Sequence, residues 1–213
     1  MLRPRNMTTE SLLEGALREE ESSARPLCVS LDGTLVTTNT LWEGLVLLFR
    51  QRPWVSLAVP LWFSRGSARF KAKVAQSGKL DPKTLPYRAE LVSALKASRQ
   101  SGRKIVLATS AHRALAESVA EHLALFDAVY ASDESANLKG ARKRDALNAA
   151  FSSGFDYVGD SAADAPMFAS ATRGYLVGAA GKAVSATRGM QQVRVVSRRP
   201  SVLRALIKEL RAH

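Results

Sequence analysis

Asp32, Gly33 and Thr34 follow a short apolar run, 27–31. A carboxylate, a glycine and a hydroxyl at the end of a buried strand can begin a phosphate and metal site. Ligands collect beyond the carboxyl ends of parallel strands, and hard cations take oxygen donors. Asp-Gly alone is also a common turn pair, so the other chemistry-bearing residues must decide. Thr109 and Ser110 close a second apolar run, 104–108. Lys139, with Gly140 beside it, opens a helical segment. Asp160 closes a third run, 155–158, and Asp164 follows four residues on. Across a helix start, two carboxylates at that spacing can face one cation.

The elements that must position these residues alternate. Strands are expected at 27–31, 104–108, 126–130, 155–158, 173–177 and 193–196, with helices at 111–123, 140–150 and 162–170 between them. Repeated strand–helix units imply an α/β fold, a parallel sheet covered by helices on both faces. Residues 37–103 interrupt this alternation with a mostly helical pattern. Asn39 or Thr40 can cap a helix with apolar Leu41, Leu45, Leu48 and Phe49. A further helix is expected over 67–75, and Pro86 opens one that ends near Gly102.

Taken in order, PLCVSLDGTLV, KIVLATS, NLKG and FDYVGDSAAD resemble the four motifs of the haloacid dehalogenase (HAD) superfamily, mostly phosphatases. The resemblance runs from residue 26 to about 180. It implies a HAD-like Rossmannoid core at 26–36 plus 86–199 and a small helical cap at 37–85. It also implies magnesium, held by Asp32, Asp160 and Asp164, and a phosphorylated small molecule as substrate. Asp32 matches the general acid/base, whose backbone carbonyl also meets the metal. Thr109, with Ser110 beside it and Gly33 in the turn, matches the phosphate-binding positions. Lys139 matches the lysine that balances nucleophile and phosphate, and Gly140 is read as allowing close approach.

One position departs from the pattern. The family's nucleophilic aspartate is replaced by Ser30. A serine hydroxyl is neutral, shorter and a poor nucleophile without a base, and no histidine lies near it in sequence. Loss of a covalent nucleophile commonly lowers rates by several orders of magnitude. The expectation is a magnesium-dependent phosphomonoesterase scaffold that is impaired or silent, either a natural pseudoenzyme or one whose Ser30 was introduced to trap substrate. The alternative is a non-catalytic domain that binds a phosphorylated ligand. Haloacid dehalogenation needs the same missing aspartate.

The bulk numbers bound the partners. At 213 residues and 46% hydrophobic content the chain reads as one domain, or one domain with a small insertion. The net charge of +12 points to an anionic partner. Nucleic acid is disfavoured, because no aromatic-interleaved basic patch or helix-turn-helix pattern is present. The single Cys28 excludes an intrachain disulfide and reads as core packing. Residues 1–25 form a polar segment with five Glu among the first 21, without the apolar stretch of a signal peptide. The segment 41–63 is too interrupted to cross a membrane. Its Trp42, Trp54, Leu57, Leu61, Trp62 and Phe63 fit either a cap core or an exposed binding surface. His112 reads as a surface residue at a helix start.

Residues 200–213 read as a basic amphipathic helix, with Leu203, Leu206, Ile207 and Leu210 on one face and Arg204, Lys208 and Arg211 outside it. Nearly the whole chain after residue 25 is similar to the HAD domain fused ahead of UbiA-type polyprenyl transferases in bacteria. That similarity implies a cytoplasmic domain at the inner face of a membrane, with an anionic membrane surface or a polyprenyl transferase domain as partner.

Overall fold

The structure is a computed structural model. It describes residues 25–51, 53, 54, 62, 64, 70, 73, 74 and 80–197. The expected polar amino-terminal segment, the basic tail helix and most of the 67–75 helix lie outside the described residues.

Six strands form one parallel sheet: β1 (Leu27–Val29), β2 (Ile105–His112), β3 (Ala128–Ser132), β4 (Asp156–Gly159), β5 (Arg173–Leu176) and β6 (Val193–Val195). Their spatial order is β3-β2-β1-β4-β5-β6. β1 is central, pairing Leu27 with both Ile105 and Asp156. The chain winds outward from β1 on one side and returns to start β4 on the other. This reversal opens a crevice at the carboxyl ends of β1 and β4, where ligands bind in open α/β sheets.

Side chains alternate across the sheet with a period of two. Leu27, Val29, Ile105, Leu107, Val158 and Tyr175 pack on one face, under α2 (Ala89–Gln100) and α3 (Arg113–Leu123). Cys28, Val106, Ala108, Tyr157 and Leu176 pack on the other, under α4 (Ala141–Ala150), α5 (Ala165–Ser170) and α6 (Gly181–Ala186). Full burial of each large apolar side chain stabilises by roughly 1.5–3 kcal/mol, which is why β1 carries no polar residue before Ser30. Cys28 is core packing, as expected. Burial, reinforced by the Asp156 charge, pushes its thiol up to about 12.

Before these core helices, α1 (Thr40–Gln51) starts the segment expected as a cap. Asn39 caps it, its side-chain oxygen accepting from the Leu41 and Trp42 amides at 3.1 and 3.3 Å. Leu45 and Leu48 point inward, and Leu45 packs with Phe70, Val74, Leu41 and Trp62. Phe49 does not join that face. It lies with Trp42 and Val46 on an exposed stripe, offset by one residue and so by about 100°. Trp54 is exposed as well. Sequence periodicity also passed over α6, a six-residue helix too short to show a repeat.

A buried ion pair closes the amino-terminal edge of the sheet. The Arg103 guanidinium donates to Asp156, and both side chains are essentially inaccessible. Arg25 approaches the same carboxylate at 3.6 Å. Removing one partner of such a pair strands a buried charge. Arg103→Met is therefore expected to destabilise the fold by about 3–5 kcal/mol in urea unfolding, and Arg103→Met/Asp156→Asn by less. Equal losses in both variants would refute this account.

Candidate functional site

The turn after β1 is held from several directions. Leu35 and Val36 amides return to the Ser30 and Leu31 carbonyls, and Gly33 N–H reaches Thr38 O. Arg88, which the sequence reading did not single out, donates to the Gly33 and Thr34 carbonyls at 3.1 Å each. Gly33 has φ of +74° and sits directly over Asp160. A Cβ there would lie 2.2 Å from Asp160 Oδ2. No L side chain fits both constraints. Beside this contact the Thr34 hydroxyl donates to Asp160 Oδ1 at 3.1 Å. The turn after β1 and the end of β4 are thus one packed unit.

Around this unit lies a cleft of about 390 Å³, lined by Ser30, Asp32, Gly33, Thr109, Ser110, Lys139, Lys143, Asp160 and Asp164 among others. Every site residue expected from the sequence reaches it. Thr109 and Ser110 are inside β2 rather than after it, at a shift of register between Ala108 and His112. Such irregularities re-aim side chains. The Thr109 oxygen accepts from Ala111 N–H at 3.0 Å, which leaves its hydrogen for a ligand. Asp32 Oδ1 accepts from both the amide and the hydroxyl of Thr40, at 2.7 Å each. The carboxylate is thereby tied to the first residue of α1. Lys139 is exposed at the rim. Gly140 faces open space where a Cβ would be, so close approach is not its reason; its φ of +57° is. His112 lies outside the cleft lining and caps α3 through Nδ1.

The residue that sequence reasoning missed is Lys143. Its neighbours Arg142, Arg144 and Asp145 make the stretch look like a solvated charge run. On α4, however, Lys143 points inward, with its side chain 5% exposed. Its Nζ donates to Asp164 Oδ1 at 2.9 Å and to the Tyr157 oxygen at 2.7 Å. The Tyr157 hydroxyl donates to the same Asp164 oxygen at 2.7 Å, and Ser161 donates to Oδ2 at 3.0 Å. The Ser30 hydroxyl bonds the Tyr157 oxygen. The only cue to this in the sequence was the tyrosine hydroxyl carried by buried β4, which needs a polar partner.

Electrostatics follow from that cluster. Burial pushes the Asp164 carboxyl up, but the Lys143 charge and the bonds from Lys143, Tyr157 and Ser161 outweigh it and hold it below the usual range. Burial, then the Asp164 charge, pushes the Tyr157 hydroxyl well above its ordinary value. The magnesium implied by the resemblance needs near-octahedral oxygen coordination. Among the described residues no three His, Cys, Asp or Glu side chains are grouped to share an ion. Both Asp164 oxygens are engaged, Asp160 Oδ1 takes the Thr34 bond, and Ser30 brings no charge. This donor set does not fit a divalent cation.

The sign of the acid response follows. Because the Asp164 value is lowered on folding, its stabilising contribution is full above the unfolded value, about 3.9, and is lost as pH falls through the folded value. Asp164→Asn is expected to lose about 3–5 kcal/mol at neutral pH, since Lys143 stays buried. It should also show a shallower decline on acidification below about pH 4. Urea midpoints across pH measure both, and an unchanged acid slope would refute the pairing.

Comparison with known proteins agrees with this geometry. The chain is 36% identical over 191 residues to the uncharacterized protein y4nM of Sinorhizobium fredii, covering 88% of this chain and 37% of that protein. It therefore spans little more than a third of that relative. A Bordetella pertussis protein of unknown function superposes with a TM-score of 0.63 at 13% identity, covering 82% of this chain and all of the other. A substrate-bound phosphoserine phosphatase gives 0.58 at 15% identity, covering 87% and 97%. A probable phosphoserine phosphatase from Vibrio cholerae gives 0.58 at 18%, covering 89% and 65%. At these identities the solved structures speak for the fold alone. The haloacid dehalogenase-like hydrolase family matches residues 30–169. With that match spanning the turn after β1, the β2 hydroxyls and the β4 carboxylates, the chain belongs to the haloacid dehalogenase-like hydrolase family.

Proposed function

We propose that this chain is a phosphatase-type scaffold that takes a phosphorylated small molecule into the cleft and hydrolyses it poorly or not at all. The reading rests on one observation above all. Ser30, Asp32, Thr109, Ser110, Lys139, Asp160 and Asp164, spread over 135 residues of sequence, converge on a single cleft. Ser30 stands where the family's attacking aspartate stands, and its hydroxyl hydrogen is engaged by Tyr157. Asp32 is the candidate acid/base, the Thr109 and Ser110 hydroxyls with the Gly33 turn are the phosphate cradle, and Lys139 guards the rim. Phosphatases of this family generally use magnesium. Here one of the carboxylates such an ion needs is absent at Ser30 and another, Asp164, is taken by Lys143.

A second reading concerns the partner. Trp42, Val46 and Phe49 expose an apolar stripe on α1, Trp54 is exposed beyond it, and the net charge is +12. These features favour a non-catalytic phospho-ligand domain beside an anionic membrane surface or a polyprenyl transferase domain. No helix among the described residues is long and apolar enough to cross a membrane. Retention on anionic vesicles, lost when Trp42 and Trp54 are changed to Ser, tests the docking.

The activity test is hydrolysis of an aryl phosphate in magnesium by the chain and by Ser30→Asp. The substitution supplies a nucleophile and a second carboxylate near Asp160. The expected result is no turnover above background for the chain and a gain of at least about 100-fold in the variant, in line with the cost of losing a covalent nucleophile. Full turnover by the Ser30 chain would overturn the impaired reading.

A further inference from the structure

Apolar exposure is concentrated beside the cleft. Trp42, Val46, Phe49 and Trp54 are four of the five large apolar side chains that stand exposed among the described residues. Trp42, Val46 and Phe49 follow one another at steps of four and three residues, so they form one stripe along α1. The stripe spans about 10 Å of helix axis. The inward face of α1 is packed separately, with Leu45 on Phe70 and Val74. Packing therefore does not account for the stripe, and a contiguous exposed apolar surface of this kind marks a binding site.

The stripe starts at the cleft. Thr37, Thr38 and Asn39 are part of the cleft lining. Asn39 caps α1 by accepting from the Trp42 amide, so Trp42 stands one turn from the wall. Side chains on a helix lean toward its amino terminus, and Trp42 therefore covers the turn that enters from the cleft. Thr40, between them, holds Asp32 Oδ1 by its amide and hydroxyl. Cleft carboxylate and stripe are thus fixed by the same turn of helix. Charge agrees with an anionic ligand. From Gly44 to Leu80 every charged residue is Lys or Arg, which favours an anion near this segment over a cation.

We infer that the cleft takes phosphate monoesters of an apolar chain, the phosphoryl end entering beside Asp32 and Thr109 and the chain lying along Trp42, Val46 and Phe49. The inference rests on the proposed phosphorylated ligand and names its class, an anionic amphiphile. A bilayer covers the stripe without reaching the cleft. A ligand with both ends explains why cleft and stripe adjoin.

The test titrates the full chain with butyl phosphate and with octyl phosphate, both below their micellar concentrations, by calorimetry. The expected result is octyl phosphate tighter by about tenfold or more, since each methylene removed from water adds to binding. Trp42→Ser, at a position open to solvent, should bring that ratio down to about threefold or less. Octyl glucoside, which carries the chain without the phosphate, should leave octyl phosphate binding unchanged at equal concentration. Equal affinity for the two esters would overturn the inference, leave the phosphate-site reading intact and return the stripe to the membrane surface. An undiminished ratio in Trp42→Ser, or displacement by octyl glucoside, would overturn it as well. Failure of both esters to bind would overturn the phosphate-site reading, and the inference with it. The comparison of esters uses the unaltered chain, so it decides even if Trp42→Ser fails to fold.

Discussion

The contact between Gly33 and Asp160 governs the architecture of the site. β1 is buried on both faces and hydrogen-bonded on both edges, so its first exposed polarity comes at its carboxyl end. There the chain must turn away at once. It does so over the Asp160 carboxylate, close enough that only a glycine with positive φ fits. The Thr34 hydroxyl then bonds that carboxylate, and Arg88 braces the turn through two carbonyls. Turn and strand end cannot shift independently. Everything else in the cleft is placed relative to this unit.

Burial of charge is the second constraint, and it is met twice in different ways. At the amino-terminal edge, Arg103 and Asp156 neutralise each other within the core. At the carboxyl end, Lys143 and Asp164 do the same, but beside a cleft and with a tyrosine between them. A buried ion pair is weak evidence for net stability, since desolvation offsets the attraction. The Arg103 pair does not line the cleft and serves the fold. The Lys143 pair borders the cleft and fixes the Asp164 carboxylate there.

How much of this was legible depended on whether a residue's own neighbours announced its environment. All six strands could be read, the central ones as apolar runs buried on both sheet faces and the more exposed edge strand β6 from its β-branched valines. The motif residues could be read because polar groups at the ends of such runs stand out. Lys143 could not. Its inward direction depends on the rotation of α4 against α5 and β4, whereas its sequence context of Arg142, Arg144 and Asp145 suggests solvent. Phe49 was misplaced for a related reason. One residue of helix is about 100° of rotation, enough to carry an aromatic from the packed to the open face. Asp164 was expected at the site and lines the cleft, but from spacing alone its facing cation could be any cation. The packing of α4 places a lysine there.

The Asp32 carboxylate links the turn after β1 to α1. It is a cleft residue on the turn after β1, yet its Oδ1 takes both the amide and the hydroxyl of Thr40, the first residue of α1. Hydrogen bonds of 2.7 Å to a carboxylate are strong ones, and Thr40 is buried around them. The acid/base role proposed for Asp32 needs an oxygen for the ligand. Oδ1 anchors the helix whose outer face carries Trp42, Val46 and Phe49, so that role falls to Oδ2. Rotation of the carboxylate toward a ligand therefore strains the helix start, and displacement of α1 by anything bound to its apolar face moves the carboxylate. The coupling needs no intermediate residues, because one side chain is shared by the cleft and the helix.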